Sequence, residues 1–184
     1  QMGCVKALRR ILGDHVESPA FARAAEMLLK AATSAPYEGR PMYAGLRAIP
    51  IPEDVVARLF HAASLLREHR GDGHIAALMI ERVGGLEAHV LFALDMGMPA
   101  ERFGRIHHLP AAQLAAVIDG MRDRGLIGDD GWLSEQGRAV KQRVEALTDD
   151  LAAKPYESLE PGELDELMAT LEPLASLLLA AQDW

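Results

Sequence analysis

The sequence predicts a mostly α fold with a small β-wing, and three observations carry that expectation. Aromatic residues make up only 5% of the chain while alanine and leucine are abundant, a bias toward helix. Residues 109–151 read as a helix, a short hairpin and a second helix in fixed order. Further helical stripes stand before and after that block, separated from it by glycine and proline punctuation.

Taken in order, residues 5–12 and 20–33 read as helices, the second containing Phe21, Ala25, Leu28 and Leu29. Pro36, Gly39, Pro41, Gly45, Pro50 and Pro52 make residues 34–52 an irregular connector, long for a loop inside a compact domain. A helix is expected over residues 53–70, with Val55, Val56, Leu59, Ala62, Ala63 and Leu66 on one side. Gly71-Asp72-Gly73 then predicts a break, and residues 75–83 and 86–96 two further helices divided by Gly84-Gly85. Leu114, Val117, Ile118 and Met121 recur at i, i+3, i+4, i+7, one apolar helix face. Gly125 ends that helix, Leu126-Ile127 begins a strand, residues 128–131 turn, and Trp132-Leu133 return. Ser134 is placed to cap a helix striped by Val140, Val144, Leu147 and Leu151. In the last helix, residues 163–180, Leu164, Leu167, Leu171, Leu174 and Leu178 form a heptad-spaced seam interrupted by Pro173. The expected organisation is an N-terminal helical part (1–70), a central module (71–152) and a C-terminal packing or dimerisation helix (153–184). A seam of this kind favours a homodimer.

Composition narrows the class. With 184 residues, 49% hydrophobic and 25% charged, the chain suits one or two small globular domains. Cys4 is the only cysteine, which rules out an internal disulfide and fits a reducing cytosol. No apolar run approaches the roughly 18 residues of a spanning helix. Gln1-Met2-Gly3-Cys4 lacks a secretory pattern, and Gln1 before Met2 reads as a tag remnant. The expectation is a soluble, cytoplasmic protein without a membrane partner. Net charge is −8, which gives no general attraction to a polyanion. Residues 74–150 carry eight Arg and Lys against twelve Asp and Glu, so the central module is itself acidic.

Helix, hairpin and long helix in this order are the grammar of a winged helix-turn-helix, and "RGLI…LSEQGRAV" resembles the equivalent stretch of MarR-type regulators. "LLREHRGDGHIAAL" (65–78), "GRPMYAGLRAIPIPEDVVARLFHAA" (39–63) and "LTDDLAAKPYESL" (147–159) resemble an actinobacterial family described as helix-turn-helix or MarR-like. The resemblance covers nearly the whole chain. It implies a MarR-like winged helix with extra N-terminal helices and a C-terminal helix; it implies no reaction. Family members usually carry a further N-terminal helical part, so the chain reads as a short form or a fragment.

Two sets of candidate residues follow. In the first, Arg67, His69, Arg70 and His74 face an anionic or carbonyl-bearing ligand, as paired donors suit a carboxylate or phosphate. The structural alternative is a corner: Arg70 is buried against Asp72, Asp72 caps the helix starting near His74, and Gly71 and Gly73 supply the turn. In the second set, Arg102, Arg105, Gln113, Arg122 and Arg124 are the residues able to touch DNA. Against DNA stand Ala112, Ala116, Asp119 and Asp123 on the outer line of the reading helix. At the wing tip, where MarR-type proteins commonly carry arginine, this chain has Asp129 and Asp130. His61, His69, His74 and His89 lack metal-site spacing, no serine has a nucleophile-elbow context, and no glycine loop cradles phosphate, so neither metal nor cofactor is expected. Two functions remain: a ligand-responsive transcriptional regulator, or a small-molecule binding protein (an unrecognised enzyme included) on a scaffold that no longer binds DNA.

Overall fold

The computed structural model describes residues 2–181, and the chain divides into two compact units. One runs up to Asp72 and resumes at Leu151; the other is Gly73–Asp150. No helix among the described residues is long and apolar enough to cross a membrane.

The first unit begins with α1 (Met2–Leu12), a 3₁₀ turn and α2 (Pro19–Ser34). The start of α2 is set locally: Ser18 Oγ accepts the Phe21 N–H at 3.1 Å, and Pro19 sits in the first turn, where its missing N–H costs nothing. Phe21, Ala24, Ala25, Leu28, Ala31 and Ala32 form its buried face. The C-terminal helix α8 (Glu163–Ala180) lies on α1 and α2 and runs through Pro173. Leu167 and Leu174 of the heptad-spaced seam are buried there, and Leu171 and Leu178 half-buried; only Leu164 of the five is exposed. Lys30 Nζ meets Glu163 at 2.9 Å and Arg23 Nε meets Glu166 at 2.5 Å along the same contact. The seam expected to pair with a second chain is thus largely used within this one.

Three predicted elements differ from the structure, the hairpin of the second unit among them. The connector expected to be irregular over residues 34–52 contains a short helix, α3 (Pro41–Arg47), again opened by a proline. The break expected at Gly71-Asp72-Gly73 does not occur: α4 is a single helix, Val55–Ile80, and neither glycine has positive φ. Glycine disfavours a helix interior by only about 1 kcal/mol, which burial of the flanking residues readily offsets.

The second unit comprises the last turns of α4, α5 (Gly85–Asp95), a 3₁₀ turn at Ala100–Arg102, α6 (Ala111–Asp123) and α7 (Glu135–Ala153) as far as Asp150. Its core joins Ala77, Val90, Leu91, Leu114, Met121, Leu126, Ile127, Leu133, Val140 and Val144. The hairpin between α6 and α7, expected as a β-wing of two strands, carries among the described residues only one isolated antiparallel bridge, Ile127 to Leu133. Asp130 accepts the Trp132 N–H at 3.0 Å and Gly128 donates to Trp132 O at 2.9 Å, closing the turn. Gly125 has φ +73° at the end of α6. Ser134 Oγ accepts the Gly137 N–H at 3.0 Å, so it caps α7 as the sequence predicts.

Candidate functional site

The buried arc of α4 is centred elsewhere than its aliphatic residues suggest. His61, Ala62, Leu65, Leu66, His69 and Asp72 are buried, while Ala63, Arg67 and Arg70 are exposed. At about 100° per residue these six occupy one side of the helix, and Arg70 falls just beyond its edge. Treating the two histidines as polar surface residues moves the apparent stripe round toward Ala63. That is why Arg70 is expected inside, and that expectation is corrected: Arg70 is exposed.

The buried guanidinium is Arg40, which directly precedes α3. It donates through Nη1 to the backbone carbonyl of His69 and through Nη2, at 2.7 Å, to Leu151 O, one of the last four carbonyls of α7. Asp72 occupies the role opposite. Its Oδ2 accepts the Tyr43 N–H at 2.9 Å and its Oδ1 the Met42 N–H at 3.4 Å, so it caps the start of α3 and not a helix beginning near His74. Carboxylate charge at a helix N-terminus is favourable, as is a cation at a C-terminus. Burial pulls the Arg40 guanidinium below its ordinary range, while Asp72 acts in the opposite direction. Within the RGDG stretch it is therefore Asp72 that faces inward and, from the interior of a continuous helix, anchors α3.

His69 stands against Tyr43 edge to face, with ring centroids 5.2 Å apart, and the Tyr43 hydroxyl donates to Ala32 O at 2.6 Å. His69 Nε2 and His61 Nδ1 are buried with no hydrogen-bond partner. Burial, and then the charge of Arg40, push His69 down to about 4, with Asp72 opposing; burial and then Arg47 also lower His61. Both rings are neutral at pH 7. Neither Arg40 nor His61 announces this role in the sequence. The only available signal is that His69 and Asp72, three apart, share a helix side with Leu65.

The four residues of the expected ligand pocket do not converge. Arg67 is exposed and paired with Glu68, Arg70 is exposed, His69 is enclosed on the other side of α4, and His74 belongs to the second unit. There the Thr148 hydroxyl gives its proton to Val144 O at 2.6 Å, so at 3.0 Å it accepts from His74 Nδ1. Arg67 and Arg70 do border a shallow groove of about 400 Å³ in the first unit, with Leu66, Tyr156 and Leu171.

The candidate nucleic-acid face is α6 with its flanks. Leu114 and Met121 are buried, Val117 and Ile118 half-buried, and Ala112, Gln113, Ala116, Asp119 and Asp123 exposed. Two of its arginines already have partners: Arg122 Nη1 bonds Asp119 at 2.6 Å, and Arg124 Nη1 reaches both oxygens of Glu87 at 2.9 and 3.0 Å. Glu87 also accepts the Gly84 N–H at 2.8 Å, which holds it at the start of α5. Arg102 and Arg105 are exposed on the segment leading into α6, and neither forms an ion pair among the described residues. Asp129 and Asp130 are exposed at the turn after Gly128.

No group of three or more His, Cys, Asp or Glu side chains among the described residues is arranged to hold a metal ion. Comparison with curated proteins and with solved structures gives no match. A family model described as a helix-turn-helix family matches residues 1–184, and the chain belongs to that family.

Proposed function

We propose that the protein is a MarR-like transcriptional regulator whose DNA affinity responds to a small molecule and which works as a homodimer. The observation that carries this reading is the order and packing of the second unit. Helix α6 buries Leu114 and Met121, leaves Gln113 and the residues around it open, and is followed by the Ile127–Leu133 hairpin and α7. This is the layout in which a helix enters a major groove and a hairpin flanks it. Membership of a helix-turn-helix family supports the same reading.

A second reading has its own support: a small-molecule binding protein on a scaffold that no longer reads DNA. Asp119 and Asp123 lie on the open face of α6, and Arg122 and Arg124 are engaged by carboxylates of the same unit. Each phosphate contact from those arginines would first have to break an ion pair.

Fluorescence anisotropy with random and upstream-promoter duplexes, from low to physiological salt, separates the two. Non-specific affinity is expected to be weaker than the typical ~10⁻⁴–10⁻⁶ M. Promoter binding that weakens steeply with salt and falls in Arg102→Gln and Arg105→Gln supports the regulator. Absence of binding at the lowest salt overturns it in favour of the second reading.

A further inference from the structure

The 3₁₀ turn Ala100–Arg102, one side of α6 and the hairpin that follows it border an open groove in the second unit. Two hollows of about 280 and 330 Å³ make up the groove, and they share Glu101, Ile118 and Arg122. It runs from Ala111 and Ala115 at one end to Trp132 at the other, beside the line Ala112, Ala116, Asp119 and Asp123. The floor is apolar: Leu94, Leu114 and Ile127 of the core reach its base, and Ile118 is half-buried between the hollows. The rim is acidic, with Glu101, Asp119 and Asp130 all exposed. Among the described residues Arg122 is the only basic side chain lining either hollow, and Asp119 already holds it at 2.6 Å. Trp132 is 39% exposed, and Asp130 accepts its backbone N–H at 3.0 Å, which keeps carboxylate and indole together on the hairpin. An apolar floor with an exposed aromatic residue and a charged rim is the constitution of a docking surface.

We infer that this groove docks a short basic segment of a partner protein. One arginine or lysine of the segment lies over Trp132 against Asp130, a neighbouring aliphatic side chain rests on Ile118, and a second cation meets Glu101 and Asp119. The class of partner follows from charge and shape. Three carboxylates stand against one guanidinium that is already paired, within a unit where acidic residues outnumber basic ones. Such a field attracts a cationic segment and repels a phosphate or a second acidic surface. The indole face is the best aromatic partner for an ammonium or guanidinium group. Two hollows side by side, open along their length, suit an extended chain better than a small ligand, which needs a site that encloses most of its surface. This docking does not rest on the regulator reading, since no nucleic acid takes part in it.

The probe is a capped hexapeptide of two arginine-leucine-arginine units. One counterpart carries glutamine in place of each arginine, and another carries glycine in place of each leucine. The chain has two tryptophans, so in Trp184→Phe the emission reports Trp132 alone. Titrating this variant of the full chain with the arginine-leucine peptide is expected to shift the emission saturably. The glutamine peptide is expected to bind at least about tenfold more weakly, and the glycine peptide at least about threefold. In the same background Glu101→Lys, an exposed position whose thermal melt reports an intact fold, is expected to lower peptide affinity about tenfold. Glu38→Lys, exposed in the first unit, makes the same change in net charge and is expected to leave affinity unaltered. No saturable shift, equal binding of the glutamine or glycine peptide, or Glu101→Lys indistinguishable from Glu38→Lys overturns the docking site. Sedimentation tests a second copy as the occupant: self-association that Glu101→Lys abolishes overturns the basic partner. A promoter duplex that binds Glu101→Lys more tightly, while the peptide leaves Trp132 unchanged, marks a nucleic-acid face and overturns it as well.

Discussion

Asp72 Oδ2 accepts the backbone N–H of Tyr43 at 2.9 Å, tying the middle of α4 to the first turn of α3 across 29 residues of sequence. The same carboxylate faces the buried Arg40, whose guanidinium reaches the end of α7. Replacing Asp72 by alanine therefore removes a helix cap, about 1 kcal/mol, and leaves a buried cation without its counter-charge, which raises the expected loss to roughly 3 kcal/mol. Asp72→Asn keeps an acceptor and should lose less. Urea denaturation measures both; a change under about 0.5 kcal/mol in Asp72→Ala would remove the structural role assigned to this residue.

Arg40 and Arg70 should behave oppositely on truncation. Arg40→Ala orphans two carbonyls and the Asp72 carboxylate inside the unit, and is expected to destabilise by roughly 3–5 kcal/mol. Arg70 is exposed, so Arg70→Ala is expected to change stability by less than about 1 kcal/mol. Thermal melts of the two variants decide the matter, and a reversed ranking would restore Arg70 as the buried arginine.

Glycine replacements test the backbone directly. Gly71 is helical, and a Cβ there would meet nothing nearer than Glu68 Oε2 at 4.0 Å, so Gly71→Ala is expected to stabilise by about 0.5–1 kcal/mol. A turn with positive φ at Gly71 would give the opposite sign. At Gly137 an added Cβ would lie 2.1 Å from Leu126 O, a backbone atom that cannot swing aside. Gly137→Ala is expected to cost at least about 2 kcal/mol, through separation of the first turn of α7 from the hairpin.

Stability should fall with acid before the carboxylates titrate. His69 is held neutral, with its folded value near 4 against an ordinary value of 6.5. A group depressed in this way binds its proton more readily in the unfolded chain. Its contribution is therefore complete above about pH 6.5 and is lost as pH drops toward 4, by roughly 3 kcal/mol at the lower end. His61 acts in the same direction. The Glu81 and Glu163 carboxylates, held low by Arg143 and by the Glu160 N–H with Lys30, lose their contribution only below the ordinary carboxylate range. The interval from pH 6.5 to 5 thus isolates the histidines. Melting temperature is expected to decline across it in the wild type and to decline less in His69→Leu; a flat wild-type profile would contradict the neutral buried ring.

Where an element depends on near neighbours, its residues announce it. The stripe Leu114, Val117, Ile118 and Met121, the stop at Gly125 and the Ser134 cap all involve partners within a few positions, and period plus cap chemistry determines them. The order helix, hairpin, helix and the acidic character of the central module were legible for the same reason. The polar centre of the first unit was not. Arg40, Tyr43, His69, Asp72 and Leu151 meet only when α3, α4 and the end of α7 are in place, and no local pattern marks which of several arginines will be enclosed. Tertiary contacts also turned two apparent breakers, Gly71 and Gly73, into ordinary helix interior, because burial of the neighbouring turns outweighs a propensity deficit of about 1 kcal/mol each. The heptad-spaced leucines of α8 fixed an amphipathic helix but not its mate. Apolar burial is non-directional, and the nearest suitable surface was α1 and α2 of the same chain.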